Sequence, residues 1–210
     1  MTIPLLFTIA LIGYILGSVP TGYIVGRLAG IDIRTVGSGN VGATNVTRIL
    51  GKRFGYPVFV IDFAKGFVSV VISMFLACKI GSAPTFVDLC AAIGGIFSVV
   101  GHSFPIWLGF KGGKGVATSL GVLFGINWIA ALVMSAIWIL VFKLTRYVSL
   151  SSVAAAIALP VAMTSMSFLH QLRSNIPVYL SLCLTTIVVA RHRANLSRLR
   201  CGTEPRFTPK

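Results

Sequence analysis

The sequence is poor in charged residues, and above all in acidic ones. Only 10% of its 210 residues are charged, and just four are acidic: Asp32, Asp62, Asp88 and Glu204. Soluble domains carry about 25% charged residues, so an ordinary soluble domain is excluded. The four carboxylates are far apart along the chain and form no cluster of the kind that holds magnesium. The sequence therefore predicts no metal site.

Cysteine is equally sparse. The chain has Cys78, Cys90, Cys183 and Cys201, with no CxxC pair and no paired histidines. Structural zinc sites need close ligand spacings of that kind, and disulfide frameworks are typical of small secreted domains. We therefore expect neither a zinc site nor a disulfide framework.

Long apolar runs fill most of the chain. Hydrophobic residues make up 56% of it, and about 20 apolar helical residues span the roughly 30 Å hydrocarbon core of a bilayer. The first run has no basic segment before it and no clear cleavage site, so we interpret it as a retained helix, not a signal peptide. The sequence predicts an all-α, polytopic integral membrane protein with one membrane-embedded domain, residues 1–210. The runs cover approximately residues 3–26, 55–78, 85–101, 116–142, 148–169 and 175–190.

The positions of the basic residues predict the topology. They are concentrated in four stretches, residues 27–54, 102–115, 143–147 and 191–210. By the positive-inside rule all four stretches are cytoplasmic. The run at 116–142 must then cross twice, and we expect it to divide into two short helices near Asn127. This gives seven transmembrane helices, some of them short, with the N-terminus outside and the C-terminus in the cytoplasm.

The first basic stretch contains a loop dense in glycine and hydrogen-bond donors. Residues 37–48 read GSGNVGATNVTR, and glycines let backbone N–H groups converge on an anion. The alternative is a flexible connection, but flexibility alone does not call for so many donors with almost no carboxylates. We interpret the loop as an oxyanion cradle. Its candidate ligands are Gly37, Ser38, Gly39, Asn40, Gly42, Thr44, Asn45 and Arg48.

The second loop, GFKGGKGVAT at residues 109–118, ends where an apolar helix begins. Glycines, two lysines and a helix N-terminus together suit a phosphate. It is not a nucleotide-binding P-loop, because Gly115 follows Lys114 where that motif has Ser or Thr. The alternative is that the lysines only anchor the helix to anionic headgroups. The candidate ligands are Lys111, Gly112, Gly113, Lys114 and Gly115.

Three further positions carry polar groups near these loops. Ser149 stands at a helix start, where it either caps the helix or binds a ligand. His192 and Asn195 lie three residues apart, so on a continuing helix they face the same side. Asp62 and Lys65 are also three apart within an apolar run, either as a structural pair or as a functional one.

Taken together, these blocks resemble the PlsY family of bacterial membrane glycerol-3-phosphate acyltransferases, which use acyl phosphate. The matching blocks are residues 18–23, 37–48, 102–118 and 191–204. The resemblance implies a seven-helix fold in the bacterial inner membrane, and transfer of an acyl group to the sn-1 hydroxyl of glycerol 3-phosphate. It implies catalytic roles for Ser38, Arg48, Lys111, His192 and Asn195, and substrate binding by the loop glycines, Ser149 and Glu204.

The implied reaction needs few functional groups beyond those that bind anions. The soluble-facing glycerol phosphate acyltransferases of the other type carry a histidine followed five positions later by an aspartate. In this chain Trp107, Asn175 and Ser197 stand five positions after the three histidines, so that pair is absent. An acyl phosphate has a good leaving group, so we expect direct transfer without an acyl-enzyme, the donor phosphate taking the hydroxyl proton. We expect no cofactor, no nucleic acid and no obligatory protein partner.

Two rival hypotheses belong to other classes. A transporter of organic phosphates also uses broken helices aimed at an anion, but it predicts inverted repeats and midplane polar residues, which the sequence lacks. A scaffold that holds anionic lipid needs only the basic loops. Such a scaffold does not need His192, Asn195 or Glu204.

Overall fold

The computed structural model describes residues 2–207, which form ten α-helices and one short 3₁₀ turn at Ile106–Leu108 without any strand. The predicted all-α class is confirmed. The helices are α1 (Thr2–Ser18), α2 (Thr21–Leu28), α3 (Ala43–Leu50), α4 (Lys52–Lys79), α5 (Pro84–Ser103), α6 (Val116–Ile126), α7 (Trp128–Thr145), α8 (Val148–Phe168), α9 (Ile176–Arg191) and α10 (Arg193–Arg200).

Five helical segments of the described chain are long and apolar enough to cross a bilayer, and α6 and α9 are shorter apolar helices. At 1.5 Å per residue, the 11 residues of α6 rise only about 16 Å, roughly half of the hydrocarbon core. The polytopic membrane architecture is confirmed. The count of seven crossings and the orientation of the termini stay predictions.

The predicted division of the run at 116–142 is confirmed. Helix α6 ends at Ile126, and the Asn127 side chain accepts a hydrogen bond from the Ala130 N–H (2.9 Å) at the start of α7. The short helix packs mainly along α4. At Gly66 of α4 and at Gly121 of α6, an added Cβ would collide with backbone of the other helix, so only glycine permits this approach. The short helix is therefore packed closely against protein along α4.

Helices α1 and α5 pack through small residues. A Cβ at Gly13 would meet the Gly94 carbonyl, and a Cβ at Gly17 would meet the Ser98 carbonyl. This spacing of four on both helices is the close-approach pattern of membrane helix pairs. The Gly94 Cα in turn faces the Ser73 hydroxyl of α4, so three helices meet at this glycine.

Two details differ from the sequence prediction. The first run is divided at Pro20, which separates α1 from α2 because proline has no N–H to continue the helix. The predicted first loop contains α3, so Thr44, Asn45 and Arg48 lie on a helix. Helix α3 forms because Val46 is fully buried against the neighbouring apolar cluster.

The orientation of the chain can be tested with two exposed positions that the predicted topology places on opposite sides of the membrane. Cys201 follows α10, whereas Ala83 precedes α5 in a connection that the charge pattern assigns to the outside. In an otherwise cysteine-free protein, a membrane-impermeant maleimide should label Ala83→Cys in intact cells. It should label Cys201 only after permeabilisation. The reverse pattern would show that the predicted orientation is wrong.

Candidate active site

A cavity of about 650 Å³ lies among the helices, and its two halves differ in character. The polar half is lined by the 38–48 segment, the start of α6, the start of α8, and α10 with the following tail. The apolar half is lined by side chains of α6, α7, α8 and α9. The cavity is therefore shaped for a molecule with a polar head and an apolar chain.

Three helices begin at the polar half without a side-chain cap. Their N-cap residues are Gly42 for α3, Gly115 for α6 and Tyr147 for α8, and none of them hydrogen-bonds to its own helix through a side chain. The first residues of all three helices line the cavity. Each N-terminus carries free N–H groups and a partial charge of about +0.5. Their convergence favours an anion.

Basic side chains add full charges at the same end. In the described part of the chain, the cavity is lined by four cations and two carboxylates. The cations are Arg48, Lys52, Lys114 and Arg198, and the carboxylates are Asp62 and Glu204. Arg198 is paired with Glu204 (Nε–Oε2 2.8 Å). Within residues 2–207 no carboxylate lies within 4.0 Å of a charged nitrogen of Arg48 or Lys52. These two cations are available to an anionic ligand.

A hydrogen-bonded network centred on Glu204 connects the predicted site residues. Lys114 Nζ donates to Asn195 Oδ1 (2.6 Å), and Asn195 Nδ2 donates to Glu204 Oε1 (2.6 Å). The Ser149 hydroxyl donates to the same carboxylate oxygen (2.7 Å). Ser149 does not cap α8, so of the two alternatives for this residue the cap is excluded.

Burial sets the charge states of this network. Burial lowers the pKa of the Lys114 ammonium to about 8, opposed in part by the Glu204 carboxylate and assisted by nearby arginines. For Glu204, burial acts to raise the pKa, but hydrogen bonds from Asn195, Ser149 and Arg198 outweigh it and lower the pKa. At neutral pH Glu204 is therefore ionised and most of Lys114 is charged.

His192 lies at the junction of α9 and α10 and is only 2% exposed. Its Nδ1 is 2.8 Å from the Val188 carbonyl, which only accepts hydrogen bonds, so Nδ1 carries the proton and Nε2 is the free acceptor. Burial lowers the pKa of His192 to about 4, and the charge of Lys114 adds to this effect. The imidazole is neutral at pH 7. The helix does not continue straight through His192, yet His192 and Asn195 both line the cavity.

The second glycine loop is arranged differently from the predicted cradle. Lys111 is exposed and does not line the cavity, and neither do Gly112 and Gly113. The N–H groups of these two glycines donate to the carbonyls of Ser103 and His102. Their own carbonyls accept from the Arg191 guanidinium (2.9 and 3.0 Å). This part of the loop is a structural clamp that leads to Lys114 and Gly115, which do line the cavity.

Some hydrogen-bond donors of the first loop are bonded to acceptors within the protein. Asn45 accepts from the Ser38 N–H (2.9 Å) and donates to the carbonyls of Ile33 and Val36 (both 3.1 Å), so it holds the loop in place. The Gly42 N–H donates to the Asn40 side chain (2.8 Å). Of the predicted residues in this loop, Gly37 and Gly39 do not line the cavity. Those that do are Ser38, Asn40, Gly42, Thr44, Asn45 and Arg48.

Some cavity residues were not among the predicted site residues. They are His102, Asp62, Lys52 and Arg198. The predicted pairing of Asp62 with Lys65 is confirmed (2.8 Å), and His102 Nδ1 lies 3.6 Å from the same carboxylate oxygen. Acidic residues within apolar runs are a signal of function, and this signal points to Asp62. Arg198 is three residues after Asn195, the spacing that brings side chains to one helix face.

Comparison with known proteins agrees with this architecture. The glycerol-3-phosphate acyltransferase family model matches residues 7–202. The glycerol-3-phosphate acyltransferase of Synechococcus elongatus is 46% identical over 200 residues, covering 95% of this chain and 93% of the relative. That of Aquifex aeolicus is 41% identical over 202 residues, covering 95% and 97%.

Two solved structures of PlsY, an integral membrane glycerol 3-phosphate acyltransferase, have the same fold. Its glycerol 3-phosphate form superimposes with a TM-score of 0.86 at 38% identity, covering 97% of this chain and 96% of PlsY. Its lysophosphatidic acid form gives a TM-score of 0.83 over 97% and 95%. The chain belongs to the glycerol-3-phosphate acyltransferase family and is an integral membrane acyltransferase.

Proposed function

We propose that this protein transfers a fatty acyl group from acyl phosphate to the sn-1 hydroxyl of glycerol 3-phosphate. The products are lysophosphatidic acid and inorganic phosphate, and the reaction takes place at the cytoplasmic face of a bacterial inner membrane. The observation that carries the proposal is the cavity, in which three uncapped helix N-termini and unpaired cations continue directly into an apolar slot. The PlsY forms with glycerol 3-phosphate and with lysophosphatidic acid support both ends of this assignment.

The site suits a phosphate leaving group. We assign the donor phosphate to Arg48 and the α3 N-terminus, and the phosphate of the acceptor to Lys114 and Asn195. All of these groups line the same cavity. Fixed donors and charges of this kind stabilise a developing anion without reorganisation. The reaction needs no cofactor, because both substrates bring the groups that react.

Direct transfer fits the residues present. The sn-1 hydroxyl oxygen attacks the acyl carbon, the bond from that carbon to the phosphate oxygen breaks, and the departing phosphate takes the hydroxyl proton. The free Nε2 of His192 accepts a hydrogen bond from the hydroxyl and orients it. No cysteine lines the cavity in the described chain. A covalent acyl adduct trapped on Ser38 of the native enzyme would contradict this sequence of steps.

Neither rival hypothesis is needed. Family membership makes the chain an acyltransferase, so the transporter and the lipid scaffold are set aside.

The donor is tested by phosphate release from purified protein in detergent or lipid. Acyl phosphate should release phosphate only when glycerol 3-phosphate is present, with lysophosphatidic acid formed in equal amount. Acyl-CoA should be inert, and EDTA should leave the rate unchanged. Turnover with acyl-CoA but not with acyl phosphate would overturn the proposed donor.

The role of Arg48 is tested against a neighbouring arginine. Arg48→Ala removes a cation from the cavity and should lower kcat/KM by about a hundredfold or more, the usual effect of losing one preorganised charge or donor. Arg53 is exposed and does not line the cavity, so Arg53→Ala should stay close to the wild type. Equal losses in both variants would mean that Arg48 acts only through the overall surface charge.

The lowered pKa of Lys114 predicts a pH limit. The ammonium is charged below pH 8 and loses its proton as the pH rises through about 8. Because a phosphate ligand needs the charged form, kcat/KM for glycerol 3-phosphate should fall above that pH. An arginine stays protonated throughout this range, so in Lys114→Arg the alkaline fall should disappear. A fall that persists unchanged in this variant would assign it to another group.

A further inference from the structure

The polar side chains deep in the apolar half form hydrogen bonds within the protein. Ser135 and Thr185 donate to backbone carbonyls of Ala131 and Ala156 (2.8 and 2.6 Å). Ser152 accepts from the Trp138 indole N–H (3.1 Å) and donates to a backbone carbonyl of its own helix. These three hydroxyls thus have their partners within the protein. The buried Ser119 hydroxyl, which lines the cavity near the start of α6, has no hydrogen-bond partner in the described chain, so the fully satisfied walls lie beyond it. Only a hydrocarbon chain gains by entering the slot.

The slot has a defined floor. Helices α6, α7, α8 and α9 line the apolar half. On each of them, the cavity residue farthest from the polar half is large, apolar and at most 4% exposed. All four belong to one buried cluster, and Met163 and Leu180 of that cluster do not line the cavity. The floor residues are Leu123 of α6, Met134 of α7, Leu159 of α8 and Leu184 of α9.

The depth of the slot matches one leaflet of a bilayer. Val148 and Leu159 are the first and last cavity residues of α8, and 11 residues of helix rise about 16 Å. Half of a hydrocarbon core of roughly 30 Å is about 15 Å. An acyl chain of the length that fills a leaflet therefore reaches from the polar half to the floor.

The side of the slot is open while its floor is closed. Tyr56 and Phe59 of α4 and Ile139 of α7 line the cavity yet are between 42% and 59% exposed, so the cavity reaches the molecular surface between these helices. A chain can enter from the bilayer at this opening. Once its head is bound at the polar half, its methyl end is directed at the floor.

We propose that the floor formed by Leu123, Met134, Leu159 and Leu184 sets the length of acyl chain that the enzyme prefers. This inference rests on the proposed function, since it concerns the chain of the acyl phosphate donor. A methylene that finds room in the slot improves binding about fourfold, which is the usual gain for burying one such group. When a further methylene meets the floor, the acyl chain must bend towards the lateral opening, or its reacting carbon must move away from the acceptor.

The test compares kcat/KM for lauroyl, myristoyl, palmitoyl, stearoyl and arachidoyl phosphate. Met134→Ala opens the floor, so the preferred chain should become longer, with the ratio of the longer to the previous best donor rising by about sixteenfold for two methylenes. Ala155 lines the wall above the floor. Ala155→Leu fills the slot there and should shift the preference to shorter chains.

Met163→Ala is the matched control. Met163 is fully buried in the same cluster and does not line the slot, so this variant loses the same atoms but should keep the wild-type preference. If Met134→Ala does not fold, Met134→Val should give a smaller shift in the same direction. An unchanged preference in the folded Met134 and Ala155 variants, or an equal shift in Met163→Ala, would show that the floor does not set the preferred chain length. The proposed reaction would remain intact. Failure of the wild type to use any acyl phosphate would instead overturn the proposed function.

Discussion

The carboxylate of Glu204 holds together parts of the site that come from distant regions of the chain. It accepts hydrogen bonds from Ser149 at the start of α8, from Asn195 of α10 and from Arg198. Through Asn195 it is also connected to Lys114 before α6. Among residues 2–207 it is one of two carboxylates that line the cavity. Without it, Lys114 and Arg198 would repel each other in a half-buried space, and Ser149 and Asn195 would lose their common acceptor.

The site keeps an excess of positive potential that the fold does not satisfy. Three helix starts lack side-chain caps, although a cap is worth about 1 kcal/mol to a helix. The pKa of Lys114 is lowered to about 8 because this cation is buried close to other positive charges. A dianionic phosphate relieves both costs at once. The stability that the fold forgoes here becomes available as binding energy for a substrate with the right charge, which is what preorganisation means.

Sequence reasoning succeeded where the information is local. Apolar runs, the helix break at Asn127, and the presence of His192 and Asn195 on the basic side follow from composition and spacing within a few residues. It failed where long-range contacts decide the structure. Glycine-rich loops suggest free N–H groups, but those of Gly112 and Gly113 are taken by the preceding segment, and their carbonyls by Arg191, almost 80 residues later. No local sequence pattern shows whether a glycine-rich loop binds a phosphate through its N–H groups or an arginine through its carbonyls.

The neutral state of His192 limits what this site can contribute to catalysis. An imidazole whose pKa is about 4 is a weak base at neutral pH, and burial makes the charged form still less accessible once substrates exclude water. The site therefore cannot rely on proton abstraction by this histidine. What it can supply is position and charge, by fixing two phosphates near unpaired cations and helix starts. The proposed donor, an acyl phosphate, already carries a good leaving group and so does not need a strong base.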